Sequence, residues 1–337
     1  MTAGVVKHWL DSGKFELPLP GSGATAQRWQ RLGELAHEDL VAARIAMAHT
    51  DAVAILDELG GKPVQHAQLW AVWDGADAGD SVTAATTHDG AVTLSGTKQW
   101  CPGASFCTHA LVAGTHPDGT RGLFAVSLWD TTVRALPSEW ANPGMAGSDT
   151  RAVRFTNTSA VPVGDPDGYR SRPGFCHRAI GAAACWFGGA RAVAEPLYEL
   201  SASGAADEHA LVHLGAVDAA LAGAGAVLGA SAGQIDADPF DRAGQAELLA
   251  RRVRAVVADA VDETIDRVGR ALGPVQLCRN EIHARRVADL SIYVRQIHPE
   301  RELAALGALV APAAPAAPAA TTLRFPTRRR VSRPRPA

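Results

Sequence analysis

The chain has 337 residues, 47% hydrophobic, 20% charged and 6% aromatic, long and apolar enough for packed units with a real core, which excludes a wholly disordered or fibrous protein. Its 35 acids face 32 Lys and Arg, and six of the Arg fall after residue 320, so the body is acidic and neither nucleic acid nor a membrane is expected as a partner. The first residues lack the apolar run of a secretory leader and the five Cys form no CxxC pair, so reduced thiols in a cytoplasm are expected.

Residues 27–59 place Leu32, Leu35, Leu40, Ala43 and Met47, then Val53, Leu56 and Leu59, at helical spacing, which predicts one or two amphipathic helices. Gly60-Gly61-Lys62-Pro63 then ends the pattern. Residues 69–163 change period. Short runs such as LWAVW, SVTAATT, AVTLSG, THALVAG, GLFAVSLW and RAVRFTNTSAV are separated by turn signals, among them Asp89-Gly90 and Asp118-Gly119. Asp-Gly between alternating runs predicts a hairpin, because both central residues of a type I′ turn need positive φ. This zone is expected to be an antiparallel β barrel or sandwich.

From about Phe175 to Leu309 the helical period returns. It is clearest over Leu248, Leu249, Val253, Val256, Val257, Val261, Ile265, Val268 and Leu272, and a second helix carries Leu211, Leu214, Val217 and Leu221. With further helices at 177–201 and 281–306, a four-helix bundle is expected. The Ala210–Ile235 stretch holds His213 and Asp218 and is mostly Ala and Gly, too weakly apolar on this reading to span a bilayer. Residues 310–337 are Pro/Ala low complexity with a basic end and are expected to be a disordered tail. The organisation is thus α+β: a short helical region (1–68), a β domain (69–165), a helical bundle (172–309) and the tail.

Two segments of the β zone carry a family resemblance. Leu94-Ser95-Gly96-Thr97-Lys98-Gln99-Trp100, followed by CPGASFCTHALVAG, resembles the L-x-G-x-K-x-W stretch of the acyl-CoA dehydrogenases. Pro143-Gly144-Met145-Ala146-Gly147-Ser148-Asp149-Thr150, followed by a β run and Val161-Pro162, resembles their G-M-R-G-S-D-T…V-P, and Ile292-Tyr293 sits where they have I-Y-E-G-T. The resemblance spans residues 25–308 and implies FAD, a homo-oligomer and a small substrate, acyl-CoA or otherwise, oxidised by hydride transfer to flavin N5.

Residue by residue, the resemblance makes Trp100 the indole that packs against the flavin ring; a core aromatic is the other reading. Pro102 stands at the family's flavin-bonding hydroxyl position and leaves only a backbone carbonyl. Gly273 falls where the family lets the pyrophosphate approach backbone, and a Gly-Pro helix end accounts for it equally well. Gln296 and His298 align with positions that contact the flavin. The family's usual base, the Glu after Ile-Tyr, is replaced by Val294, which cannot accept a proton. The alternative base position corresponds to His177, which can, unless it is simply a histidine at a helix start. The family's R-x-x-F-G segment has no match between Leu200 and Asp218. His298, Glu300 and Glu302 alternate around a helix, so no metal site is expected. Three functions remain open: a flavin oxidoreductase with a non-standard base, a flavin monooxygenase of the same fold, and a non-catalytic binding or assembly subunit.

Overall fold

The computed structural model describes residues 2–75, 79–296 and 298–311. The expected disordered tail lies outside these residues, apart from its first two positions.

Three helices open the chain: α1 (Thr2–Asp11), α2 (Thr25–Glu38) and α3 (Leu40–Glu58). The apolar pattern over 27–59 is cut in two at Asp39. That residue is extended (φ −150°, ψ 107°), and its carboxylate accepts the Ala42 N–H at 2.9 Å, capping α3. Ile45, Ala46, Met47 and Ile55 of α3 are all buried, so this helix runs through the interior.

Seven strands follow: β1 (Trp70–Trp73), β2 (Thr83–Thr86), β3 (Val92–Cys101), β4 (His109–Thr115), β5 (Arg121–Ser127), β6 (Val133–Ala135) and β7 (Arg151–Pro162). The order β4-β2-β3-β7-β5, with β5 pairing back onto β4, closes a small barrel. The expectation of purely antiparallel pairing is corrected: β1 runs parallel to β4 over Trp70–Trp73 and His109–Val112, and β2 meets β4 in parallel at Thr83 and Thr115. The β2–β3 hairpin lies between β1 and β4 in the chain, so β4 re-enters the sheet in the direction of β1. Both Asp-Gly sites do form hairpins, but only Gly90 (φ 83°) and Gly119 (φ 88°) turn left-handed. The Asp carboxylates instead bond inside the turns, Asp118 accepting the Thr120 N–H at 2.9 Å, so a single positive φ suffices.

The last part contains α4 (Gly168–Ser171), α5 (Gly174–Ala202), α6 (Glu208–Ala237), α7 (Ala246–Leu272), α8 (Pro274–Arg279), α9 (Glu281–Tyr293) and α10 (Pro299–Val310). The helix expected over 281–306 is broken: a 3₁₀ turn at Val294–Gln296 leads to an extended His298 (φ −91°, ψ 100°) before Pro299. A proline disfavours helical backbone in the residue before it, and that starts a new helix here. The tightest helix crossing is α2 on α5, where a Cβ added at Gly188 would lie 2.1 Å from the Gly33 carbonyl oxygen. By length and composition α6, 30 residues with an 18-residue stretch of mean hydropathy 1.7, passes as a possible membrane span, contrary to the sequence reading, and 22% of that stretch is buried.

Candidate functional site

Trp100 stands at an irregularity near the end of β3, where the pairing with β7 shifts register between Lys98 and Cys101. Lys98 points inward, its ammonium buried and bonded to Asp80 and the Gly75 carbonyl. Trp100 turns outward: its indole is 60% exposed and its backbone left-handed at φ 52°. Bulges of this kind ordinarily place glycine at the left-handed position, and a bulky side chain there is strained by roughly 1–3 kcal/mol. The core reading of Trp100 is therefore excluded.

The indole meets Trp140 edge-on, with centroids 6.2 Å apart at 84°. Trp140 Nε1 donates to the Gly144 carbonyl at 3.0 Å, and Gly144 lies so close to α9 that an added Cβ would fall 2.2 Å from the Ala288 oxygen. The Met145 N–H completes the joint, donating to Asp289 at 2.6 Å. The three segments that carry the resemblance thus meet: the end of β3, the 143–150 turn and α9. Between the 143–150 turn, α9, α1 and the Ser105-Phe106 loop lies a cleft of about 760 Å³ whose walls include Gly147, Asp149 and Ala288, and Trp100 does not line it.

Pro102 is buried, and its carbonyl, the backbone group left to it, accepts Trp73 Nε1 at 3.0 Å. Val294 is buried at 2% exposure, and the Tyr293 hydroxyl before it donates weakly to Met47 Sδ at 3.6 Å. No proton acceptor stands at the Val294 position. Gln296 and His298 are exposed in the short link that follows α9. Gly273 caps α7 in a left-handed conformation (φ 63°) with no atom within 4 Å of an added Cβ. Among the described residues no cluster of His, Cys, Asp and Glu could hold a metal ion.

Charged groups sit on the other side of Trp73. Arg178 of α5 bonds Asp74 just past β1 at 2.7 Å and Asp51 of α3 at 3.1 Å, and Asp51 also receives Arg28 of α2 at 3.2 Å. The Tyr169 hydroxyl donates to Asp74 at 2.7 Å. Burial would push Asp74 up, but Arg178 and Tyr169 outweigh it and hold the carboxyl below its usual range. These links tie α2, α3, α4 and α5 to the end of β1. Through Trp73 and Pro102 they reach the base of the Trp100 turn.

His177, next to Arg178, is 3% exposed and lines a cavity of about 630 Å³ between α3, the start of α5, residues 19–22 and the Pro239-Phe240 turn. Burial lowers its pKa below the ordinary 6.5; Glu58 opposes the shift and Arg172 adds to it. The imidazole is therefore neutral at pH 7. The sequence reading did not find Trp140, Asp74 or Asp51, because nothing local marks them. A Trp four residues before Gly144 and an acid at a strand end gain meaning only from their three-dimensional neighbours.

No family model and no curated protein matches the sequence. Solved structures match over most of the chain. TdsC from Paenibacillus sp. A11-2, solved with FMN and indole, is 17% identical with a TM-score of 0.72, covering 91% of this chain and 94% of its own. Nitrososynthase from Micromonospora carbonacea var. africana is 17% identical with a TM-score of 0.74, covering 90% and 88%. Butyryl-CoA dehydrogenase from Megasphaera elsdenii is 17% identical with a TM-score of 0.72, covering 83% and 80%. The architecture of this protein, helices before a small β barrel and a helical bundle behind it, is that of the acyl-CoA dehydrogenase fold.

Proposed function

We propose that this protein is a flavin-dependent oxidoreductase whose flavin ring lies against Trp100. The observation that carries this reading is the indole itself: a tryptophan 60% exposed and held at φ 52°, where solvent exposure and backbone strain both act against it unless something covers it. TdsC, which shares the fold over 94% of its length, was solved with FMN, so the cofactor is FMN or FAD. Trp100 would support the ring, with Gln296 and His298 as hydrogen-bonding partners from the link after α9. Gly273 would serve only by way of a second copy in a homo-oligomer. Pro102 supports the turn from beneath through its carbonyl. A cytoplasmic location accords with the unpaired Cys.

A bound flavin supplies hydride acceptance or, once reduced, the activation of dioxygen. The second use is favoured here. Abstraction of an α-proton needs a base, and Val294 and its buried surroundings offer none, whereas oxygen chemistry does not require that carboxylate. Nitrososynthase and methanesulfinate monooxygenase share the fold. The residue proposed to handle a proton is His177, neutral and unbonded at the ring. The test is direct. Purified protein incubated with FMN or FAD and desalted should retain the yellow flavin spectrum, and Trp100→Ala should lose it. Colourless wild type after both incubations overturns the reading in favour of a non-catalytic subunit. If flavin is retained, anaerobic mixing with acyl-CoAs should leave the colour unbleached; bleaching would restore the dehydrogenase reading, with His177 as its base.

A further inference from the structure

The cavity at His177 has a composition that specifies what it takes. Apolar walls come from Leu19, Pro20, Ala54, Leu59, Pro239 and Phe240. The buried charges are already matched: Arg172 pairs with Glu58, Arg178 pairs with Asp51 and Asp74, and Arg28 adds a second partner for Asp51. The carboxylate of Asp57 stands at the exposed margin. The acids of the neighbouring turn are likewise engaged, Asp236 by Thr25 and Gly23, and Asp241 by the N–H groups of Gln245 and Ala246.

Two groups of the lining lack a partner: Arg172 Nε, which is sealed from solvent, and the imidazole. His177 is 3% exposed, yet its ring makes no hydrogen bond to any described residue. Its nitrogens are not among the buried unpartnered atoms, so they open onto the cavity and are free to bond what enters it. In its neutral form the ring has one nitrogen that accepts and one that donates.

We propose that this cavity is the substrate pocket, and that it takes an uncharged molecule with an apolar body and one hydroxyl or N–H, which donates to the His177 ring. The volume, about 630 Å³, lies within the range of small-molecule sites. A charged ligand at the buried ring would have to be desolvated away from any free counter-charge, since the Asp57 carboxylate stands only at the exposed margin, and that is unfavourable. What becomes of the ligand rests on the flavoprotein reading; that it binds does not, so the two can fail separately.

Calorimetric titration of the flavin-free protein at pH 7 tests this with three probes that differ in one group: 4-propylphenol, 4-propylanisole and 4-propylbenzoate. The phenol should bind about tenfold more tightly than the anisole, which has lost the donated proton, and the benzoate should not bind measurably. In His177→Ala the preference for phenol over anisole should vanish. Ala54→Leu, which narrows the cavity and leaves the ring alone, should weaken both. The comparison of phenol with anisole in wild type stands even if the His177 variant fails to fold. Equal affinity for the two, binding of neither, tighter binding of the benzoate, or a preference that survives in His177→Ala overturns the proposal. Retention of flavin, measured separately, is unaffected by any of these results.

Discussion

The Trp100 edge and the His177 cavity are built on opposite principles. At the edge a large aromatic is pushed into solvent by a left-handed bulge, backed by Trp140 and by the tight joint of Gly144 on α9. In the interior a chain of ion pairs, Arg28–Asp51–Arg178–Asp74, is closed off, and an imidazole beside it opens onto a cavity without a protein partner. The first region is strained and exposed. The second is stable by itself and holds open a space. The contrast teaches that the two residues proposed to act stand out by what they lack, a cover in one case and a hydrogen-bond partner in the other.

The sharpest way to break the interior is Asp51→Ala, which leaves Arg28 without its carboxylate and takes one of the two from Arg178. Removal of one side of a buried pair destabilises by about 3–5 kcal/mol, so chemical denaturation should show a loss of that size. Asp51→Ala thus separates stability from the surface site.

Acid should act on the interior as well. His49 is buried beside Phe15, its Nδ1 accepts the Trp70 N–H at 3.2 Å, and burial lowers its pKa from 6.5 to about 4. A depressed histidine pKa means that the unfolded chain binds the proton more readily than the folded one. Its contribution is therefore complete above pH 6.5 and is lost as the pH falls from 6.5 towards about 4. Wild type should lose about 3 kcal/mol over that window. His49→Gln should flatten this part of the profile, and an unchanged slope would remove His49 from the account.

The joint between edge and bundle is probed by Gly144→Ala. A methyl group there meets the Ala288 carbonyl, and accommodating it should cost about 1–3 kcal/mol and loosen Trp140. Intrinsic tryptophan fluorescence should then shift along with the loss of stability.

The smallest effect on stability, and the largest on the proposed function, belongs to Trp100→Gly. Glycine tolerates φ 52° and the indole makes few buried contacts, so the fold should be unchanged or stabilised by up to about 1 kcal/mol while flavin retention is lost. A variant that stays yellow would show that the indole is not the platform. Together with Asp51→Ala this gives a double dissociation between the two regions.

The order of helices, β unit and helices is legible in the sequence because it rests on local periodicity: period 3.6 before residue 60 and after 175, alternation between Asp-Gly turns in the middle. The motif around Trp100 could be read through its resemblance to a family stretch, but its outward turn could not, because Lys98 and Trp100, two apart, would share a face on a regular strand. Other features were not legible. The parallel pairing of β1 with β4 depends on where a distant segment re-enters the sheet, and the break at His298-Pro299 hides in a continuous apolar pattern. The pairings of Asp51 and Asp74 with Arg178 join residues 127 and 104 positions apart, and no local pattern encodes such a partner.

The sequence by itself determined which elements form and where the aromatic and titratable groups lie along them, because helix periodicity, turn chemistry and capping act over a few residues. Only the tertiary structure decided that Trp100 is left uncovered, that the charges around Arg178 cancel, and that His177 faces a cavity without a partner. Exposure and pairing are properties of which segments are packed against one another, and that is settled only when the whole chain closes on its core.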